Sequence, residues 1–328
     1  MSTVERYLEV FEALRRRKRW STDTTVLRFS ALTLAASDVT DPGDRLEETA
    51  RALSRQAGGF SPLSSSIRHA VAAIIIRRGL DPVNTVNRVK ETLDAFKMHK
   101  LRKGGAHPLL AALLLVLDAD GGSVRFDRMA RMKQIVDRWA VDHRFLTGVD
   151  DYPMAAMHAT RGADPEQLGV EVEAIYRSLA RARFSKGNQL QLVSHLMMFS
   201  GQGPVASVER YLQMAAALKR KGQRVWQGQY DEVALLVLSG GAVEDVTTRV
   251  IEYRDHLRAV KPRPQASIAF SIAAGIVLAE EAERAKELGG AGTAANLRAV
   301  QAIIEAQQAA MVACIAACTV VTTSAASG

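Results

Sequence analysis

His143-Arg-Phe-Leu-Thr-Gly-Val-Asp-Asp-Tyr-Pro153 is the stretch of sequence that decides the fold. It joins an amphipathic segment with a basic end to a strongly apolar segment, through a polar turn that contains one glycine. Similar turns recur along the chain at intervals of about 40 residues. Repeats with a period of roughly 20 to 50 residues are typical of proteins built from stacked supersecondary units.

Six bulky apolar residues, which we call the marker residues, define the repeat. They lie 39 to 44 residues apart and are Trp20, Phe60, Leu101, Phe145, Phe184 and Val225. Four consecutive units have glycine three residues after the marker, at Gly104, Gly148, Gly187 and Gly228. A small residue follows ten positions after the marker in five units, whereas the sixth unit has Leu235 there. Residues 247–284 form a seventh unit of the same two-segment shape.

Both segments of each unit have the pattern of α-helices. Tyr211, Leu212, Ala215 and Leu218 follow the 3.6-residue period of an amphipathic helix. Second segments such as 109–117 are apolar on most faces, which predicts inner, buried helices. We therefore predict an all-α fold of about seven helical hairpins of ~40 residues, stacked as an α-solenoid or closed into an α/α toroid.

The last residues depart from the repeat. We predict a helical-hairpin repeat domain over 1–290 and a C-terminal Ala-rich helix with a loose tail over 291–328. A stack of hairpins needs its last apolar face covered, so the simplest interpretation is a capping helix. The alternative is self-association or docking of a partner through this helix.

Composition limits the class of protein. The 328 residues carry a net charge of +8 with a pI near 9.6, which permits attraction to acidic partners. Nucleic-acid binding is disfavoured because paired Cys/His fingers and aromatic RNA-binding boxes are missing from the sequence. We find no secretory signal and no apolar run of the ~20 residues that span a bilayer. Cys314 and Cys318 fit buried thiols in a reducing compartment, so we expect a cytoplasmic protein.

Two stretches resemble a bacterial family known only as domain of unknown function 4003. The first is Phe145-Leu-Thr-Gly-Val-Asp-Asp-Tyr-Pro153, and the second is Lys186-Gly-Asn-Gln-Leu-Gln-Leu-Val-Ser-His195. The resemblance covers most of the chain, although Arg144 stands where the family pattern has proline. It implies a bacterial, intracellular setting and implies no activity, because none is established for the family.

Asp150 and Asp151 are the first candidate site. Adjacent carboxylates near the start of an apolar helix are suited to holding Mg²⁺, so we consider them candidate metal ligands. The structural alternative is that Asp150 caps the helix and Asp151 complements its dipole. No cofactor is predicted outright, and Mg²⁺ enters only with the metal hypothesis.

A second candidate site consists of Asn188, Gln189, Gln191 and His195, and we expect it beside Asp150, Asp151 and His143 of the preceding unit. Gln191 and His195 are four residues apart and share a helix face, so they form a polar strip on an apolar helix. Such a strip suits the lining of a ligand pocket, and the alternative is a set of satisfied core residues. The histidines lack the spacing of a zinc site, and no phosphate loop or nucleophile motif is present.

Cations before each marker predict a basic rim. They include the cluster Arg15, Arg16, Arg17, Lys18 and Arg19, and continue with Arg144, Arg181, Arg183, Arg224 and Arg258. The simple explanation is that cations stabilise helix C-termini. The alternative is a positive band that binds a polyanion or an acidic peptide.

Three functional hypotheses follow. The first is a non-catalytic binding or scaffold module that takes a protein, peptide or small ligand on its rim or concave face. The second is a metal-assisted enzyme with a central cavity that uses Asp150 and Asp151. The third is polyanion binding through Arg15–Arg19 and the basic rim.

Overall fold

The computed structural model describes residues 2–17, 23–58, 61–64 and 67–287. Every regular element in these ranges is helical, which confirms the predicted all-α class. No helix in these ranges is both long and apolar enough to cross a membrane. The predicted C-terminal helix, both cysteines, Trp20, Phe60, Lys18 and Arg19 lie outside the described residues.

Fourteen α-helices and five short 3₁₀ helices make up the described ranges. The α-helices are α1 Thr3–Arg16, α2 Thr24–Ala35, α3 Pro42–Ala57, α4 Ile67–Arg78, α5 Pro82–Phe96, α6 Ala106–Asp118, α7 Phe126–Asp142, α8 Tyr152–Thr160, α9 Pro165–Arg181, α10 Asn188–Met197, α11 Pro204–Arg220, α12 Tyr230–Leu238, α13 Val243–Ala259 and α14 Ala266–Glu287. The 3₁₀ helices are Pro62–Ser64, Lys97–His99, Val149–Asp151, Met198–Ser200 and Gln227–Gln229.

Short breaker sequences start several of the odd-numbered helices. Asp81 precedes Pro82, and its carboxylate accepts a hydrogen bond of 2.7 Å from the Asn84 amide. Before α9, the carboxylate of Asp164 likewise accepts a hydrogen bond of 2.8 Å from the Gln167 amide. A side-chain cap satisfies one of the free N–H groups of the first turn, and proline fits where no N–H is needed.

The two kinds of helix differ in burial as their sequences predict. In α9 the buried residues form a stripe that includes Leu168, Val172, Ile175 and Leu179. In α6 all ten residues from 108 to 117 are buried. The odd-numbered helix therefore packs through one face, whereas the even-numbered helix is enclosed on all sides.

The chain divides into two compact units. Among the described residues, the first unit lies within 1–133 and 155–160, and the second within 134–154 and 161–287. In the first unit α1 packs on α2 and α3, α3 on α4 and α5, α2 on α4, and α5 on α6. In the second unit α9 packs on α10 and α11, α11 on α12 and α13, α10 and α14 on α12, and α13 on α14. Each unit thus places odd-numbered helices beside one another and even-numbered helices beside one another.

Candidate functional site

The turn between α7 and α8 is built by backbone hydrogen bonds around His143. Its carbonyl oxygen accepts from the amides of Leu146 at 3.0 Å and Thr147 at 2.8 Å. These bonds close a tight turn that leaves Phe145 98% exposed. A Cβ atom on Gly148 would lie 2.7 Å from Asp150 Oδ1, so the glycine leaves room for this carboxylate.

Asp151 is the buried carboxyl of the turn. It accepts a 2.9 Å hydrogen bond from the Gly148 amide, and its Oδ1 lies 3.8 Å from His195 Nδ1. Burial raises the pKa of Asp151 to about 7, while the Gly148 hydrogen bond lowers it and the charge of Asp150 raises it. Asp151 is therefore poised to gain or lose a proton near neutral pH.

Asp150 has a different environment. It is exposed, and its Oδ2 accepts a 3.0 Å hydrogen bond from the Asn188 side-chain amide. The backbone capping role expected for Asp150 is thus performed by Asp151, which turns back to the Gly148 amide. The two adjacent carboxylates have separate partners.

Gln191 and His195 lie on the buried face of α10, next to the same turn. The Gln191 side-chain amide donates to Thr147 Oγ1 at 3.1 Å. His195 is 0% exposed, and its ring stacks on Trp139 of α7, with centroids 3.7 Å apart and planes inclined by 12°. Five of the predicted site residues therefore gather around the 147–151 segment: Asp150, Asp151, Asn188, Gln191 and His195.

His143, another of the predicted residues, faces α9 instead. Its Nε2 lies 2.6 Å from Glu173 Oε2, and its ring packs on Tyr176 with centroids 4.4 Å apart. The Nε–H group of Arg177 donates a hydrogen bond to the other carboxylate oxygen of Glu173. Glu173, Tyr176 and Arg177 were not singled out in the sequence, because only the packing of α9 beside the end of α7 brings them to His143.

An open pocket of about 500 Å³ adjoins this cluster. Its walls are His143, Glu173, Tyr176, Arg177, Ala180, Arg181 and Lys186. The volume is within the range of small-molecule sites. Tyr176 helps to shape the pocket, because its hydroxyl oxygen accepts a 3.2 Å hydrogen bond from the Gly187 amide, next to Lys186.

The metal hypothesis for Asp150 and Asp151 stays a prediction. In the part of the chain that the structure describes, no group of three or more His, Cys, Asp or Glu side chains is arranged to hold a metal ion. A carboxyl group with a raised pKa is also a weak ligand, because a metal ion needs the ionised form.

Some cations near the ends of odd-numbered helices form ion pairs with the neighbouring odd-numbered helix. Arg17 at the end of α1 pairs with Asp44 at the start of α3, at 2.7 Å. Arg220 and Lys221 at the end of α11 pair with Glu244 at the start of α13. Within the predicted polyanion cluster, Arg15 also pairs with Glu12 at 2.8 Å, and Arg16 is exposed. The polyanion hypothesis stays a prediction.

Comparison with known proteins identifies uncharacterised relatives. A family model described as "Protein of unknown function (DUF4003)" matches residues 10–309. An uncharacterised protein, YeaA of Bacillus subtilis (strain 168), is 25% identical over 319 residues, which cover 94% of this chain and 92% of YeaA. No solved structure matches.

Proposed function

The chain belongs to the DUF4003 family of proteins of unknown function, and we propose that it is a non-catalytic binding module. Its helical hairpins stack as an open α-solenoid, and the closed α/α toroid is the alternative. The partner is a protein segment with acidic and apolar side chains, bound along one edge of the second unit.

The order of contacts within the second unit supports stacking. Contacts from α7 to α9 advance together along both helices, from Arg138 with Glu166 to His143 with Glu173. Lys221 with Thr248 and Gln223 with Arg254 advance in the same way towards α13. Neighbouring odd-numbered helices are therefore parallel, and the turns that follow them face the same edge of the second unit. We call this edge, formed by 143–148, 182–187 and 221–229, the turn edge.

Exposed aromatic side chains support binding at the turn edge, and Phe145 is the observation that carries the proposal. At 98% exposure, Phe145 presents nearly its whole ring to solvent, and Trp226 is 57% exposed. Burying one such side chain gains about 2 kcal/mol. Aromatic residues and arginine are enriched in the cores of protein interfaces, where they supply much of the binding energy.

Cations accompany both aromatic residues. Arg144 precedes Phe145 in the chain, and the Arg224 guanidinium lies 3.8 Å from the centroid of the Trp226 ring. An aromatic ring beside a cation suits a partner that offers an apolar side chain next to a carboxylate. Charge complementarity therefore favours an acidic amphipathic segment.

The test is a binding titration with synthetic peptides. Fluorescein-labelled 15-residue peptides that combine Glu and Asp with Leu and Phe in varied order are titrated with the protein, and fluorescence anisotropy is recorded. We expect saturable binding by a subset of these peptides, weakened about tenfold or more in Phe145→Ala/Trp226→Ala because two interface anchors are lost.

Val170→Ala/Val205→Ala is the matched control. Both valines are exposed apolar residues of the second unit, at 61% and 73%, and both lie at the starts of odd-numbered helices rather than on the turn edge. The control is expected to bind like the wild type. Absence of saturable binding to every peptide, or equal binding by the aromatic double variant, would overturn the proposal.

A further inference from the structure

The ends of the odd-numbered helices in the second unit carry cations of two kinds. Some are compensated: Arg138 pairs with Asp142 at 2.6 Å, and Arg220 and Lys221 share Glu244. Arg181 and Lys186 differ, because neither has an ion-pair partner among the residues that the structure describes. Both line the pocket of about 500 Å³ beside His143.

The pocket therefore has excess positive charge. Its three permanent cations, Arg177, Arg181 and Lys186, face a single carboxylate, Glu173. That carboxylate is already engaged on both oxygens, by His143 at 2.6 Å and by Arg177. These four permanent charges leave a net charge of +2, which matches a dianion rather than a single carboxylate.

We propose that this pocket binds a phosphate monoester. Such a group carries a charge of −1.5 to −2 at neutral pH and has three acceptor oxygens. Arginine forms short, charge-assisted and often bidentate hydrogen bonds to phosphate, and lysine adds a point charge. The volume exceeds what a phosphate group alone requires, so the organic part of the ester occupies the remainder, next to Tyr176.

The walls are held before any ligand arrives. Glu173 joins the end of α7 to α9 through its two bonds, to His143 and Arg177. The hydrogen bond from the Gly187 amide to the Tyr176 hydroxyl holds the turn that carries Lys186 against α9. Preformed walls reduce the conformational entropy lost on binding.

This inference does not depend on the binding of a partner at the turn edge. The phosphate monoester has two sources: a phosphorylated side chain of a polypeptide, or a free phosphorylated small molecule. The pocket is open to solvent, so either kind of phosphate monoester can enter it. The experiment below distinguishes the two sources.

The test is isothermal titration calorimetry on the full chain, in a phosphate-free buffer at about 0.15 M salt, where long-range attraction between exposed charges is screened. The probes are a phosphoserine peptide, its unphosphorylated form and glucose 6-phosphate. We expect saturable one-to-one binding of a phosphorylated probe and none of the unphosphorylated peptide. Tighter binding of the phosphoserine peptide would identify a polypeptide source, and tighter binding of glucose 6-phosphate a small-molecule source.

Two variants that remove the same charge test whether the phosphorylated probe binds in this pocket. Arg181→Gln/Lys186→Gln is expected to weaken binding about tenfold or more, because two charge-assisted contacts are removed. Lys219→Gln/Arg258→Gln removes the same charge from exposed positions outside the pocket and is expected to bind like the wild type. Thermal unfolding of both checks that they fold. No saturable binding of either phosphorylated probe, unchanged binding by the pocket variant, or equal weakening in both variants would overturn the proposal.

Discussion

Asp151 shows how the pKa of a single carboxyl group depends on its burial and its neighbours. The Gly148 amide donates to it, Asp150 repels its charged form, and His195 lies 3.8 Å away on α10. Burial outweighs the hydrogen bond, so the pKa rises to about 7. The turn is therefore sensitive to pH near 7, because burial disfavours the ionised form of Asp151.

The sign of the pH dependence follows from the raised pKa. Between the unfolded pKa near 3.9 and the folded pKa of about 7, the folded state binds more protons than the unfolded state. The stabilisation by Asp151 is complete below about pH 4 and is lost as pH rises through 7. We predict that Asp151→Asn, which keeps the acceptor for Gly148 without the charge, is more stable than the wild type at pH 8, by on the order of 3 kcal/mol.

Urea unfolding at pH 5 and pH 8 measures this difference. The gain in unfolding free energy for Asp151→Asn should grow between the two pH values. Asp38→Asn is the control, because Asp38 is exposed and lies outside the turn, so its effect should be small at both pH values. A gain that is the same at both pH values would contradict the assigned pKa.

The sequence indicated several residues that lie together around the 147–151 segment, but it did not indicate which contacts they make. Asp150 and Asn188 fall in consecutive units of the repeat, so equivalent turns bring them together, and their side chains meet at 3.0 Å. Trp139 and Thr147 were missed because each looked like an ordinary helix or turn residue. Their roles, stacking on His195 and accepting from Gln191, depend on how α7 and α10 pack.

At the scale of elements, the α13–α14 pair is held by a buried ion network. Arg249 is largely buried and pairs with Glu280 at 2.8 Å, with Asp245 at 3.0 Å and with Glu281. The Tyr253 hydroxyl also donates to Glu280, at 2.9 Å. Removing one partner of a buried ion pair leaves the other charge without compensation, which is the costly case.

We predict that Arg249→Gln lowers the unfolding free energy by about 2–3 kcal/mol, because the buried Glu281 and the half-buried Glu280 are left without their main counter-ion. Arg220→Gln breaks an exposed pair with Glu244 and should change stability little. Chemical denaturation of both variants gives the comparison. Equal, small effects would show that Arg284 and Tyr253 suffice to compensate the two carboxylates.

Helix caps show that the period of the sequence repeat pairs the wrong residues of two turns. The Gly148 amide donates to the side chain of Asp151, and the Trp226 amide donates to the side chain of Gln229 at 3.3 Å. These equivalent caps make Trp226, rather than Gly228, the counterpart of Gly148. The turns between helices differ in length by one or two residues, so sequence spacing alone cannot assign equivalent positions within them.

At the scale of the whole molecule, the proposed open stack predicts an extended shape. A compact chain of this length has a radius of gyration of about 20 Å. An open α-solenoid places its terminal hairpins far apart, so small-angle X-ray scattering should give a clearly larger value. A radius of gyration at or below about 20 Å would contradict the open stack and favour the closed toroid.

The sequence by itself determined the all-α class, the alternation of amphipathic and enclosed helices, and the family, because these follow from local periodicity and motifs that need no long-range information. Only the tertiary structure decided which charges are paired, that Asp151 is buried while Asp150 is exposed, and that His143 turns to Glu173. These depend on the relative positions of helices about 30 residues apart in the chain, where a shift of one or two residues exchanges a buried position for an exposed one. The pocket beside His143 is likewise a property of packing, since its walls come from α9 and from two turns that are far apart in the chain.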